Sequence, residues 1–116
     1  MTAKECYEAM GENYEDVIGR LLTDARVEKY LIKFKDGNDM QKIVDSLEEE
    51  DYESAFRNVH NIKGLSMNLG FAKLRDSSAV LCEELRDGKP DGDISPLLET
   101  VKKDYDAVIA AINQLG

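Results

Sequence analysis

Apolar residues recur in steps of three and four along most of the chain, and no stretch sustains alternation in steps of two. That period marks one face of an α-helix. The clearest stripe is C-terminal: Ile94, Leu98, Val101, Tyr105, Val108, Ile112 and Leu115. Asp93 or Ser95 can cap its start, and Pro96 is tolerated in a first turn, where a missing N–H costs little. A second stripe runs through Ala55, Val59, Ile62, Ser66 and Leu69. Asp51 can cap that helix, and Gly70 can end it in the left-handed conformation. A third joins Phe71, Leu74, Ser78, Leu81 and Leu85 and ends at Gly88. A fourth region carries Val27, Tyr30, Leu31 and Phe34, then Met40, Ile43, Val44 and Leu47, with a kink or break at Asp36-Gly37-Asn38-Asp39.

Four long amphipathic helices with short connections predict an all-α fold, an antiparallel four-helix bundle. Residues 1–22 predict one or two short helices, with Tyr7, Met10, Val17, Ile18, Leu21 and Leu22 as core contacts. They form an N-terminal extension packing on the bundle, within one domain spanning residues 1–116. A bundle alone says little about function.

Charge narrows the classes. The chain of 116 residues has 24 Asp+Glu against 15 Lys+Arg, a net −9. Nucleic-acid binding needs clustered cations, so it is disfavoured, and so is docking on an anionic membrane. No apolar run approaches the roughly 20 residues of a membrane span. The opening MTAKECYEAM lacks a secretion leader, which points to the cytoplasm. Cys6 and Cys82 lack metal-pair spacing and read as reduced thiols, Cys82 half-buried and inert. His60 is the single histidine, which excludes a multi-histidine metal site. Asp87 to Asp93 superficially matches a calcium loop, but Lys89 and Leu98 stand where ligands are needed. Ser66, Ser77 and Ser78 have no histidine to form a triad and read as small residues at helix contacts.

His60 lies one residue, about 100°, around the helix from Val59, at the edge of the second stripe. Phe56, Arg57, Lys63 and Gly64 share its patch at spacings of three and four, and Met67 lies two turns on. Neutral imidazole is a nucleophile near physiological pH. Arg57 and Lys63 favour an anion attached to it, such as a phosphoryl group. Gly64 costs a helix interior about 1 kcal/mol relative to Ala, which makes sense if a partner must approach the imidazole. Packing of helix against helix is the alternative reason for that glycine. No acid stands three or four residues away to act as general base. The arrangement suits a phosphoacceptor served by another protein's machinery.

The segment His60-Asn61-Ile62-Lys63-Gly64-Leu65-Ser66-Met67-Asn68-Leu69-Gly70, with Leu74 following, resembles the signature of histidine-containing phosphotransfer (HPt) domains. The resemblance implies a four-helix bundle with short N-terminal helices. It implies His60 as phosphoacceptor, Lys63 near the phosphate and Gly64 as the close-approach position. Arg57 comes from helical spacing and is not part of the signature, and the break near Asp36 departs from a helix that is often continuous in the family.

The same resemblance implies a phosphorelay intermediate of bacterial two-component signalling, not an enzyme acting on small molecules. It would accept a phosphoryl group from a receiver-domain aspartate and pass it to another receiver. No cofactor is expected on this chain, because Mg²⁺ belongs to the receiver. Partners would be response-regulator receivers and a hybrid or chemotaxis-type histidine kinase. Phe56, Arg57 and Met67 are the candidate docking residues. Two alternatives stay open: the phosphoacceptor domain of a chemotaxis-type kinase, and a degenerate bundle that binds receivers without transfer.

Overall fold

A computed structural model describes residues 1–115. Among the described residues it contains seven α-helices and no strand: α1 (Ala3–Met10), α2 (Tyr14–Leu21), α3 (Asp24–Asp36), α4 (Asp39–Glu48), α5 (Tyr52–Leu69), α6 (Ala72–Leu85) and α7 (Ser95–Ile112). The fold is the expected all-α bundle. Its first long helix is broken into α3 and α4, with Gly37 extended at φ −75°, ψ 159°. α5 packs between α4 and α6, α6 packs on α7, and α3 packs on α5 and α7. α1 and α2 lie across one end, against α7 and α5.

The helix ends follow the local chemistry. The Asp51 side chain accepts from the Ser54 N–H, capping α5. Asp93 rather than Ser95 supplies the oxygen at the start of α7, accepting from the Ser95 N–H at 2.9 Å. Gly70 ends α5 at φ 73°, and a Cβ there would lie 2.5 Å from the Val17 side chain. Both the left-handed turn and the close approach of α2 therefore require glycine.

The core combines the second and third stripes with the middle of the C-terminal one. Ala55, Val59, Ile62, Leu69, Phe71, Leu74, Leu81, Leu85, Val101, Tyr105, Val108 and Ile112 are buried, and Ile94, Leu98 and Leu115 are half-buried. Aromatic contacts tie the N-terminal helices to it. Tyr7 touches Tyr14 and Phe71 with ring centroids 5.4 and 6.0 Å apart, and Phe34 touches Phe71 and Tyr105 at 5.2 and 5.4 Å. Such pairs add to the burial of their apolar area.

Three expectations need correcting. Leu22 is not a core contact: it ends α2 at positive φ, and the turn leaves it 69% exposed. Tyr30 sits at the rim of its stripe and is 40% exposed, while Val27, Leu31 and Phe34 fill the interior. Cys82 is fully buried rather than half-buried, because it faces into the bundle from α6 beside Leu81. Burial raises its thiol pKa, against the nearby positive charges of Lys63 and Arg86.

Candidate functional site

The buried face of α5 leaves the opposite face to solvent, and this geometry positions the candidate residues. His60, Gly64 and Met67 are exposed along the outward face, Met67 to 54%. One flank of the helix is fixed to α4. The Asn58 amide donates to the Lys42 carbonyl and to Ser46 Oγ, at 3.3 and 3.1 Å. The Asn61 amide donates to Asp39 Oδ1 at 2.9 Å. The other flank meets α6 through Phe56 and Lys63, the latter close enough to lower the carboxyl pKa of Glu83 slightly, after the larger effect of Arg86.

His60 makes no hydrogen bond or ion pair among the described residues, and its ring lies 6.0 Å from that of Phe56. It stands further out than the stripe edge inferred from its spacing. Lys63 is half-buried and makes no ion pair among the described residues. A Cβ built on Gly64 meets nothing within 4 Å. Packing against a neighbouring helix therefore does not require this glycine.

Arg57 does not point at His60. Its guanidinium reaches back one turn, donating to Glu53 Oε1 and Ser54 Oγ, both at 3.3 Å. Phe56 and Met67 are brought to the same side of the helix as His60, Phe56 half-buried and Met67 free of the core. Arg86, the residue that follows the last turn of α6, joins this group, with its guanidinium 5.5 Å from the centre of the Phe56 ring and its donors on the Glu83 carboxylate. No local pattern in the sequence marks Arg86, because the contact depends on α6 folding back along α5.

The C-terminal end of α5 is held by the N-terminal helices. Arg20 donates through Nη2 to the Met67 carbonyl at 3.2 Å, and the Tyr7 hydroxyl donates to the Leu69 carbonyl at 2.6 Å. These bonds satisfy carbonyls that a helix terminus leaves without partners.

Among the described residues no cluster of histidine, cysteine or acidic side chains could hold a metal ion, and no helix is long and apolar enough to cross a membrane. The exposed imidazole can act as a nucleophile or phosphate carrier, with the ammonium of Lys63 as its nearest uncommitted cation on α5.

A model of the Hpt domain family matches residues 35–111. The chain belongs to that family. Hpt domains carry phosphoryl groups on histidine in two-component signalling, interact with receiver domains, and are phosphocarrier modules rather than classical enzymes. No curated protein and no solved structure matches the chain significantly. The match begins at Lys35, so α1, α2 and nearly all of α3 lie outside it.

Proposed function

We propose that this Hpt domain is a cytoplasmic phosphorelay intermediate that takes a phosphoryl group from a receiver aspartate onto His60 and returns it to a second receiver. The observation that carries the reading is the exposed His60 imidazole without a hydrogen-bond partner, beside the open space at Gly64.

The Nε2 lone pair of neutral His60 attacks the phosphorus of the aspartyl phosphate. The N–P bond forms, the P–O bond to aspartate breaks, and the carboxylate leaves with its electron pair. The ring keeps its Nδ1 proton and carries the positive charge beside the phosphoryl group. The reverse sequence loads the next receiver. Charge on the transferring group is met by the receiver's own Mg²⁺ and lysine, and by Lys63 from this side. The exposed Arg57–Glu53 pair is weak, with side-chain exposures of 66% and 82%, so an incoming phosphoryl group can compete for Arg57. Phe56 and Met67 supply the apolar centre against which a receiver docks.

The test is incubation with purified receivers charged from acetyl phosphate. Acid-labile, base-stable phosphate should appear on the wild type and be absent from His60→Gln. Equal labelling of that variant would overturn the assignment.

A further inference from the structure

The break between α3 and α4 is bonded to the neighbour of the reactive residue. Asp39, the first residue of α4, accepts from the amide of Asn61 at 2.9 Å, and Asn61 directly follows His60. A carboxylate only accepts, and an ionised acceptor makes a stronger bond than a neutral one. The residues of the break leave room for this bond. Gly37 has φ −75°, which any residue adopts, so its backbone does not call for glycine. A Cβ there would lie 3.0 Å from Asp39 Oδ2. The missing side chain at 37 therefore leaves the carboxylate space to turn toward α5.

The bond sits where it can set the roll of α5 about its own axis. Successive helical residues are about 100° apart, so Asn61 lies on the flank facing α4 while His60 faces solvent. The Asn58 amide ties the same flank one turn earlier, to the Lys42 carbonyl and Ser46 Oγ. The buried face offers no such key. Its contacts through Ala55, Val59, Ile62 and Leu69 are apolar and non-directional. Ser66, its polar member, has a hydroxyl without a hydrogen-bond partner among the described residues. Roll matters because the reacting atom stands off the axis. At roughly 6 Å from the axis, a turn of about 10° displaces an atom by about 1 Å. A misplacement of about 1 Å can cost roughly 100-fold in rate. A receiver footprint of roughly 600 Å² is wider than one helix, so the partner also rests on the elements beside α5 and does not turn with it.

We propose that Asp39 is a positioning residue for phosphotransfer: through Asn61 it holds the roll of α5 at which the His60 imidazole meets the phosphoryl group of a docked receiver. The inference rests on the proposed relay and deepens it. Asp39 makes no hydrogen bond to His60 and acts only through Asn61. The interruption of the first long helix thereby serves the site, by bringing a carboxylate to the residue beside the phosphoacceptor.

The test compares the wild type with Asp39→Ala, Asp39→Asn and the double variant Asp39→Ala/Asn58→Ala. Asp39→Asn keeps an oxygen that accepts from Asn61 and loses only the charge, so it separates the bond from the electrostatics of the first turn of α4. With purified receivers charged from acetyl phosphate, Asp39→Ala should lower the maximal transfer rate roughly three- to tenfold, and the double variant further, with half-saturation within about twofold of wild type. Asp39→Asn should transfer within about twofold of the wild-type rate. Labelling by phosphoramidate, a small donor that needs no docked orientation, should be equal for all four proteins, showing that the variants fold and that the imidazole is as reactive as before. The positioning role is overturned, and the relay left intact, by any of three results: an Asp39→Ala rate within twofold of wild type, a loss shared equally by Asp39→Asn or by phosphoramidate labelling, or a loss confined to half-saturation. A wild type labelled by phosphoramidate but by no receiver overturns the relay and the positioning role together.

Discussion

Arg20 of α2 donates from Nε and Nη2 to one oxygen, the backbone carbonyl of Asn68, at 3.2 and 3.1 Å, while its Nη1 pairs with Asp16 at 3.1 Å. The α2 guanidinium thus acts as a cap on the helix that carries His60, favoured by the negative end of the helix dipole. Arg20→Gln should cost about 1 kcal/mol, near the usual net value of a hydrogen bond, since the site is partly exposed. Hydrogen exchange should show the loss concentrated in the last turn of α5, with α4 protected as before.

The glycines at 64 and 70 should respond in opposite ways. Gly64→Ala should hold stability or raise it by up to about 1 kcal/mol, because Ala is the better helix former and nothing obstructs it. Gly64→Gln should slow receiver transfer strongly at little cost in stability. Gly70→Ala should lose at least 1–2 kcal/mol, roughly the cost of a left-handed alanine, with the Val17 contact added. Thermal melts of the three variants, with transfer rates for the two at 64, check this.

Met67→Ala should change stability by no more than about 0.5 kcal/mol, as at an ordinary surface position, and should weaken receiver binding. Phe71→Ala should cost roughly 3–5 kcal/mol, because its ring is buried between Tyr7 and Phe34. Paired denaturation and titration measurements separate the two kinds of apolar residue.

Lys63→Ala should slow phosphotransfer and shorten the lifetime of the phosphorylated form more than it weakens receiver binding. Lys63 has no ion pair among the described residues, so its loss should leave the melting temperature nearly unchanged. Decay of labelled protein after removal of the receiver gives the lifetime.

Acid should weaken the start of α5. Hydrogen bonds from Ser54, first its side chain and then its backbone N–H, hold the Asp51 carboxyl below the ordinary carboxylate range. A depressed folded pKa means the stabilisation is complete above the unfolded value and is lost as pH falls through the folded one. The gap in melting temperature between the wild type and Asp51→Ala should therefore be wide at pH 7 and close as pH drops below about 4, near the ordinary aspartate pKa.

Much of this bundle was legible because its signals are local. The stripes of α5 and α6, the Asp51 cap, the Gly70 stop and the break after Asp36 each depend on residues within a few positions. His60, Lys63 and Gly64 could be placed on one patch by helical spacing alone. Spacing could not show that Arg57 turns back to Glu53, since rotamer choice responds to competing partners. Nor could it find Arg86 over Phe56 or Arg20 on Asn68, which join segments distant in sequence. Leu22 misled for a related reason: apolar character counted toward the core, while the backbone turn that exposes it has no sequence signature in leucine.

The aromatic chain through Tyr7, Phe71, Phe34 and Tyr105 bears on how such proteins can be recombined. Similarity recognises the chain from Lys35 onward, yet Tyr7, Val17, Val27, Leu31 and Phe34 are buried in the same core. A graft of residues 35–111 onto the first helices of a relative would carry His60 across and place Phe71 against unmatched neighbours. Successful chimeras should therefore require joint exchange of the aromatic partners on both sides of the graft, so the exchangeable unit is larger than the recognisable one.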